Sequence, residues 1–300
     1  PPSDEEVELM PGNQTFISAL QISIQPKQVL TKLIKKKITA IAWDYIQDEE
    51  GVFSLVRTVG EIAGNTSILI AGELISSFSS GKGMMLGGIA GVQPTEVVII
   101  GAGTVGEFAT RAALGLGASV KVLDNRLSKL RRLQNDIGQR VYTSIIQPKV
   151  LAKAIRRADI VIGALRSSVG KTPCVVTELM IQEMKSGSVI VDVSIDQGGC
   201  FETSRATTHE DPIYEVDGIM HYCVANMPGA VSRTSTIALG NATLPFVLAL
   251  ANKGWKQACS DDVHLLNGLN VHAGRLTYQA VGDALGIPTI APDLTLRTAA

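Results

Sequence analysis

The stretch EVVIIGAGTVGEFATRAALGLGASVKVLD, residues 96–124, decides the fold of this chain. An apolar run leads into three closely spaced glycines, a helical pattern follows, and a second apolar run ends in an acidic residue. Apolar strands that alternate with helices are typical of a parallel sheet covered on both faces. The alternation continues through DIVIGAL (159–165) and SVIVDVSI (188–195). We therefore predict an α/β fold with a doubly wound parallel sheet of the Rossmann type.

The glycines Gly101, Gly103 and Gly106 form a G-x-G-x-x-G pattern between the predicted strand and helix. In dinucleotide sites the first glycine makes the tight turn, the second lets the pyrophosphate approach the backbone, and the third allows close packing of helix and strand. Asp124 ends the next strand, where a carboxylate binds ribose hydroxyls and repels a 2′-phosphate, so NAD is favoured, although Arg126 nearby would suit NADP. A purely structural turn and a methyltransferase site are the alternatives, and the second does not account for the later parallel strands.

Composition excludes several classes of protein. The chain has 300 residues, 45% hydrophobic and 18% charged, which suits two globular domains. Its net charge of −1 favours neither nucleic acid nor an anionic membrane as a partner. No uninterrupted apolar run reaches the roughly 18–20 residues of a membrane span, so we expect none. Four scattered cysteines without a Cys-x-x-Cys pair argue against a metal site or disulfides and favour a cytoplasmic location.

The buried strand 188–195 runs directly into Asp196-Gln197-Gly198-Gly199. Ligands of doubly wound sheets lie at the carboxyl ends of the strands. Because the first half of the sheet would hold the adenosine, the second half would hold the nicotinamide. We therefore expect Asp196 beside the reacting ring, where a carboxylate can orient water or exchange protons with the substrate. The alternative is that Asp196 only caps the next segment. We expect a structural role for Asp192, inside the strand.

The outer segments predict a second, smaller unit. Residues 15–45 have a strand–helix–strand pattern. A long helix is predicted over 57–80, with small residues for close packing, followed by a glycine-rich linker at 79–94 that lacks the GK[ST] of a phosphate loop. Near the other end, 234–255 predicts a helix that is interrupted or bent near Pro245.

Three segments together carry a family resemblance: VDVSIDQGGCFETSRATTHEDP (191–212), HYCVANMPGAV (221–231) and GAGTVG (101–106). They resemble the alanine dehydrogenase branch of the family shared with the NAD-binding part of proton-pumping transhydrogenases, over about residues 15–285. The resemblance implies reversible oxidative deamination of L-alanine to pyruvate and ammonia with NAD, and thus a small amino acid and 2-oxo acid as partners. Members of this branch are usually homo-hexamers.

The resemblance also implies domains and site residues. A flavodoxin-like catalytic domain would combine residues 1–56 and 231–300, and the NAD-binding Rossmann domain would be 57–230. Asp196 matches the catalytic aspartate, Asp124 the ribose ligand, and two residues match contacts to the nicotinamide and its carboxamide: Asn226 and Met227. The remaining matches lie near the adenosine or line the cofactor cleft at the strand ends: Lys129, Ala164, Leu165 and Val193.

The sequence departs from the family pattern at Ser18, where the catalytic histidine is expected at the end of a strand. The segment TFISALQ is closer to the transhydrogenase version, and we expect the four histidines elsewhere to have surface or packing roles. Gly60 stands where family members place a serine near the cofactor. The family's substrate-binding arginine and lysine would precede Pro1, so we expect this chain to be an N-terminally truncated piece of a longer protein.

These departures leave other functions open. The main alternative is a transhydrogenase-like or regulatory subunit that binds NAD(H) without deaminating activity. A related enzyme for another small amino or imino acid is a further one.

Overall fold

The computed structural model describes residues 1–22, 24–77, 81–167 and 170–298. In these residues the strands, in chain order, are β1 (Thr15–Ser18), β2 (Thr39–Ala42), β3 (Glu96–Ile100), β4 (Ser119–Asp124), β5 (Tyr142–Ile145), β6 (Ile160–Gly163), β7 (Val189–Asp192), β8 (Ile213–Val216), β9 (Ile219–Tyr222), β10 (Leu269–His272) and β11 (Arg275–Leu276). The α-helices are α1 (Asp4–Leu9), α2 (Lys27–Lys35), α3 (Ser54–Ile75), α4 (Thr104–Gly115), α5 (Leu127–Ile137), α6 (Pro148–Ile155), α7 (Glu178–Gln182), α8 (Ser232–Asp261), α9 (Val263–Asn267), α10 (Gln279–Leu285) and α11 (Pro292–Thr298).

The chain divides into two compact units. The first combines Pro1–Thr58 with Thr236–Ala300, and the second is Val59–Ser235. Both boundaries fall within long helices, α3 and α8. The second unit is therefore one continuous insertion into a first unit that is built from both ends of the chain.

The second unit contains a sheet in the order β5-β4-β3-β6-β7-β9-β8 among the described residues. All neighbouring strands are parallel except β8, which is antiparallel to β9. The chain starts at the centre with β3, moves outward to β4 and β5, and then crosses to β6 on the other side. This reversal of direction confirms the doubly wound fold and opens a crevice at the carboxyl ends of β3 and β6.

Strand β3 shows why the sequence folds this way. Val97 and Ile99 belong to the apolar cluster on one face of the sheet, and Val98 and Ile100 to the cluster on the other. All four side chains are fully buried. Because successive side chains of a strand point to opposite faces, an uninterrupted apolar run requires both faces to be covered.

The first unit contains a smaller sheet in the order β1-β2-β10-β11 among the described residues. Strands β1 and β2 are parallel, with α2 between them in the chain, as the sequence predicts. Strand β10, from the other end of the chain, pairs with β2 in the antiparallel direction. The C-terminal segment therefore completes the sheet that the N-terminal segment begins.

Helix α3 packs closely against α4, as its small residues predict. A Cβ atom added at Gly64 would lie 2.5 Å from the carbonyl oxygen of Val105, so only glycine permits this contact. The helix ends at Ile75 rather than at residue 80, and residues 78–80 lie outside the described part of the chain. Helix α8 continues through Pro245, and its backbone leaves helical geometry at Gly254 (φ 73°, ψ 161°) instead.

Among the described residues, one helical stretch, Met227–Asp261, is long and apolar enough to cross a membrane, by length and composition only. The stretch contains no uninterrupted apolar run of that length, because polar residues such as Asn241 and Thr243 are interspersed. Leu239 and Phe246 on one face of this stretch pack against the apolar cluster around Leu265. Part of its apolar surface therefore has a partner within the protein.

Candidate active site

The three glycines of the loop after β3 have different environments: two are tightly packed against backbone atoms, and one borders open space. Gly101 has a left-handed φ of 118°, and an added Cβ would lie 2.3 Å from the carbonyl oxygen of Ala164. At Gly106 the added Cβ would lie 1.9 Å from the Gly101 carbonyl oxygen. Gly103 is the N-cap of α4, and its Cβ would meet nothing within 4 Å. The loop therefore leaves an open cradle at the N-terminus of α4, where backbone N–H groups bind anions.

The carboxylate of Asp124 lies beside this cradle. Its Oδ2 atom accepts a hydrogen bond from the N–H of Ala102 (2.8 Å), and Oδ1 accepts one from the N–H of Arg126 (2.7 Å). Asp124 is therefore tied directly to the glycine loop. Lys129 is half-buried in the first turn of α5, which follows. An anion cradle next to a carboxylate that can accept from ribose hydroxyls fits a dinucleotide.

Asp192 organises the loop that follows β7. The carboxylate is fully buried and accepts hydrogen bonds from the N–H of Ser194 (3.0 Å), the N–H of Cys200 (2.9 Å) and the hydroxyl of Ser204 (2.6 Å). An added Cβ at Gly199 (φ 83°) would lie 2.6 Å from Asp192 Oδ2. The loop therefore wraps around one buried carboxylate, and glycine is required where it turns back.

The 3₁₀ turn Val193–Gln197 carries Asp196 to the surface at the carboxyl edge of the sheet. Its Oδ1 atom accepts a hydrogen bond from the N–H of Asn226 (2.8 Å), and its Oδ2 atom has no hydrogen-bond partner among the described residues. The side chain is accessible, but the surrounding protein partly desolvates it and raises its pKa, which the bond from Asn226 only partly offsets. The fold thus brings together two predicted residues that lie 30 positions apart.

The other predicted positions have mixed environments. Ala164, at the end of β6, donates its N–H to the carbonyl of Ile100 (2.8 Å) and is almost fully buried. The carbonyl of Leu165 accepts from the hydroxyl of Ser194 (2.8 Å). Val193 is half-buried, and the side chain of Met227 is buried in the core of the second unit. The role of Met227 in contacting a nicotinamide remains a prediction.

Ser18 ends β1 in the first unit, with Ala42 as its register partner. His221 is fully buried, where its Nε2 contacts the hydroxyl of Thr203 at 2.8 Å and its ring stacks on Tyr214. This burial lowers the pKa of His221. His221 therefore has a packing role. The described residues contain no cluster of three or more His, Cys, Asp or Glu side chains suited to a metal ion.

Comparisons of the sequence and of the structure with known proteins point to the same family. The family model for the C-terminal domain of alanine dehydrogenase/PNT matches residues 67–279. The alanine dehydrogenase of Halomonas elongata is 46% identical over 287 residues, which are 95% of this chain and 77% of that protein. A solved L-alanine dehydrogenase is 38% identical with a TM-score of 0.86, and the match covers 95% of this chain and 78% of that one. A transhydrogenase from Sinorhizobium meliloti, 20% identical with a TM-score of 0.73 over 93% of this chain and 77% of that one, shares the fold.

Proposed function

The chain belongs to the alanine dehydrogenase/PNT family, and from that premise we propose that it catalyses the NAD-dependent, reversible oxidative deamination of L-alanine to pyruvate and ammonia. The observation that carries this proposal is the contact between Asp196 and Asn226 at the carboxyl edge of the sheet that also carries the glycine loop. In this proposal the second unit is the NAD-binding domain, and the first unit belongs to the catalytic domain.

The residues around the glycine loop would hold NAD, which supplies the hydride acceptor when bound. Backbone N–H groups at the start of α4 would bind the pyrophosphate, since the helix N-terminus is electropositive and Gly103 leaves room for close approach. Asp124 would accept hydrogen bonds from the adenosine ribose, with Lys129 nearby. Ala164, Leu165 and Val193 would line the cleft toward the nicotinamide.

Asp196 would act on the carbon that exchanges the hydride. The N–H of Asn226 fixes Oδ1, so Oδ2 is the atom left to orient water or the amine and to take up a proton. The raised pKa of Asp196 brings the carboxylate closer to the working pH, which makes it a better proton acceptor than an ordinary aspartate. Asn226 and Met227 would complete this end of the cleft.

A spectrophotometric assay at the NADH absorbance tests the proposal. The full-length protein should consume NADH only when pyruvate and ammonium are both present. Asp196→Asn should lower kcat by about 10²–10⁴-fold and leave NADH binding within a few-fold. Asp217→Asn is the matched control, because Asp217 lies in the exposed β8–β9 turn at the opposite edge of the sheet and has a left-handed φ of 52° that asparagine tolerates. NADH consumption that ignores ammonium, or that survives in Asp196→Asn, would contradict the proposal.

One observation favours a second candidate function, an NAD(H)-binding subunit without deaminating activity. Ser18 stands at the end of β1, where the resemblance predicts the catalytic histidine. An unperturbed serine hydroxyl does not exchange protons near neutral pH as an imidazole does. NADH binding without turnover in the full-length protein would favour this candidate over the dehydrogenase.

We also propose that the protein is a cytoplasmic homo-hexamer. Exposed apolar side chains recur along α8 at Ile237, Leu244 and Leu248, as expected for a surface that another subunit covers. All four cysteines are free thiols, which suits a reducing compartment. Light scattering should give six times the mass of one chain, and a monomeric mass would contradict the assembly.

A further inference from the structure

The side chain of Gln197 forms a two-point hydrogen bond with the backbone of Ser167. Its Oε1 atom accepts from the N–H of Ser167 (3.1 Å), and its Nε2 atom donates to the carbonyl of Ser167 (3.3 Å). The carbonyl of Gln197 itself accepts from the N–H of Thr172 (2.8 Å). Both Gln197 and Ser167 are half-buried. Gln197 therefore ties the segment after β7 to the segment after β6 at both ends of its side-chain amide.

The two tied segments carry the residues assigned to the nicotinamide half of the cleft. Gln197 directly follows Asp196, and Ser167 lies just beyond Ala164 and Leu165. The hydroxyl of Ser194 adds a separate tether to the carbonyl of Leu165 (2.8 Å). Because β6 and β7 are adjacent in the sheet, these tethers span the gap between two neighbouring strand ends.

We propose that Gln197 is a positioning residue that locks the loop after β6 onto the Asp196 turn and so preforms the nicotinamide half of the cofactor cleft. The proposal rests on the NAD site described above. Without the lock, the loop samples more conformations in the cofactor-free protein, and NADH must order it on binding. Loss of two neutral hydrogen bonds from such a lock should weaken NADH binding by about tenfold.

The chain offers a matched control for this chemistry. Gln134 makes the same two-point pairing with Val141, donating from Nε2 to the carbonyl (2.7 Å) and accepting at Oε1 from the N–H (3.3 Å). Val141 directly precedes β5, so this pairing lies at the amino edge of the sheet, opposite to the cleft. Gln134→Ala therefore removes an equivalent pair of bonds, together with a longer bond from Nε2 to the hydroxyl of Thr143 (3.5 Å), and reports the cost to stability alone.

The experiment compares Gln197→Ala, Gln197→Met and Gln134→Ala in the full-length protein. Methionine keeps the size of glutamine without its hydrogen bonds, so Gln197→Met preserves packing if alanine disturbs folding. NADH fluorescence titration measures affinity, thermal melting measures stability, and hydrogen exchange measures protection of the Ser167 amide without cofactor. We expect about tenfold weaker NADH binding in both Gln197 variants, faster exchange at Ser167, and wild-type NADH affinity in Gln134→Ala despite a comparable loss of stability.

Several results would overturn the inference. They are unchanged NADH affinity in both Gln197 variants, an equal loss of affinity in Gln134→Ala, and a wild-type protein that does not bind NADH. The proposed reaction fails separately. If the wild type binds NADH without consuming it in the presence of pyruvate and ammonium, and the Gln197 variants still bind it more weakly, the lock stands and the deamination does not.

Discussion

Alanine substitutions at two glycines of the loop after β3 should have different effects: Gly106→Ala should destabilise the fold, and Gly103→Ala should weaken NADH binding. Gly106→Ala would place a Cβ 1.9 Å from the Gly101 carbonyl oxygen, whereas real contacts of this kind stay above 3.0 Å. The separation must therefore grow by at least ~1.1 Å. Gly101 cannot yield easily, because its left-handed backbone donates to the Leu123 carbonyl at 2.7 Å. We expect a loss of about 3 kcal/mol of unfolding free energy, or roughly 6–12 °C in Tm.

Gly103→Ala should leave the fold intact and weaken NADH binding. Its φ of −79° suits alanine, and the new Cβ meets nothing within 4 Å, so the loss of N-cap preference should cost only about 1 kcal/mol. The methyl group would nevertheless occupy the space through which a pyrophosphate approaches the start of α4. Hydrogen bonds to charged groups contribute about 1.5–3 kcal/mol each, so losing one should weaken NADH binding roughly 10–100-fold.

Thermal melting and NADH fluorescence titration on both variants separate these effects. Gly115→Ala is the control, since Gly115 is the last residue of α4 and its added Cβ also meets nothing within 4 Å. It should leave NADH affinity unchanged and stability equal or slightly higher. Wild-type affinity in Gly103→Ala, or a wild-type Tm in Gly106→Ala, would refute the roles assigned to the loop.

The remaining predictions concern four side chains. Because partial desolvation by the surrounding protein raises the pKa of Asp196, the acid limb of the kcat–pH profile should lie above the ordinary aspartate range. The raised pKa contributes stability at pH values below the ordinary aspartate pKa, and this stability is lost as the pH rises through the raised pKa. Asp196→Asn should therefore raise Tm at pH 7 while it lowers kcat. An acid limb at the ordinary aspartate pKa would contradict the raised pKa and the expected rise in Tm. Asp192→Ala leaves four donors, one of them the thiol of Cys200, without their buried acceptor and should cost about 3–5 kcal/mol in denaturant unfolding, whereas a loss below about 1 kcal/mol would contradict its organising role. Asp124→Asn should weaken NADH binding about tenfold and reduce the preference over NADPH, and an unchanged ratio of the two dissociation constants would refute its role at the ribose. Ser18→His should raise kcat at least about tenfold if Ser18 replaces a proton-transfer group, and an unchanged rate would show that it does not.

Features set by neighbouring residues could be predicted from the sequence. The strands β3 and β4 coincide with the two apolar runs of the stretch 96–124, because a mainly apolar run is most stable in a sheet covered on both faces. The roles of Gly101 and Gly106 follow from the turn they share with α4, only a few residues long. Asp124 could be placed for the same reason, since it ends the next strand of one β-α-β unit.

Features that depend on distant partners could not be predicted. The pattern VVTELMIQEMK (175–185) by itself predicts a helix over the whole segment, but α7 begins only at Glu178, because the N–H groups of Val175 and Val176 bond to the carbonyl of Cys200 instead. The edge strand β8 was not predicted, because its four residues are half-buried or exposed and form no fully buried apolar run. The pairing of Gln197 with Ser167 joins residues 30 positions apart, which no local pattern reveals.

Transfer of the hydride itself is the most direct test of the account. The full-length protein, incubated with NAD and L-alanine deuterated at C2, should produce pyruvate together with NADH that carries the deuterium, as measured by mass spectrometry. Asp196→Asn should bind NADH but form this product at a rate lower by about 10²–10⁴-fold. Binding of NADH without any deuterium transfer from alanine would contradict the proposed dehydrogenase and leave a protein that only holds the cofactor.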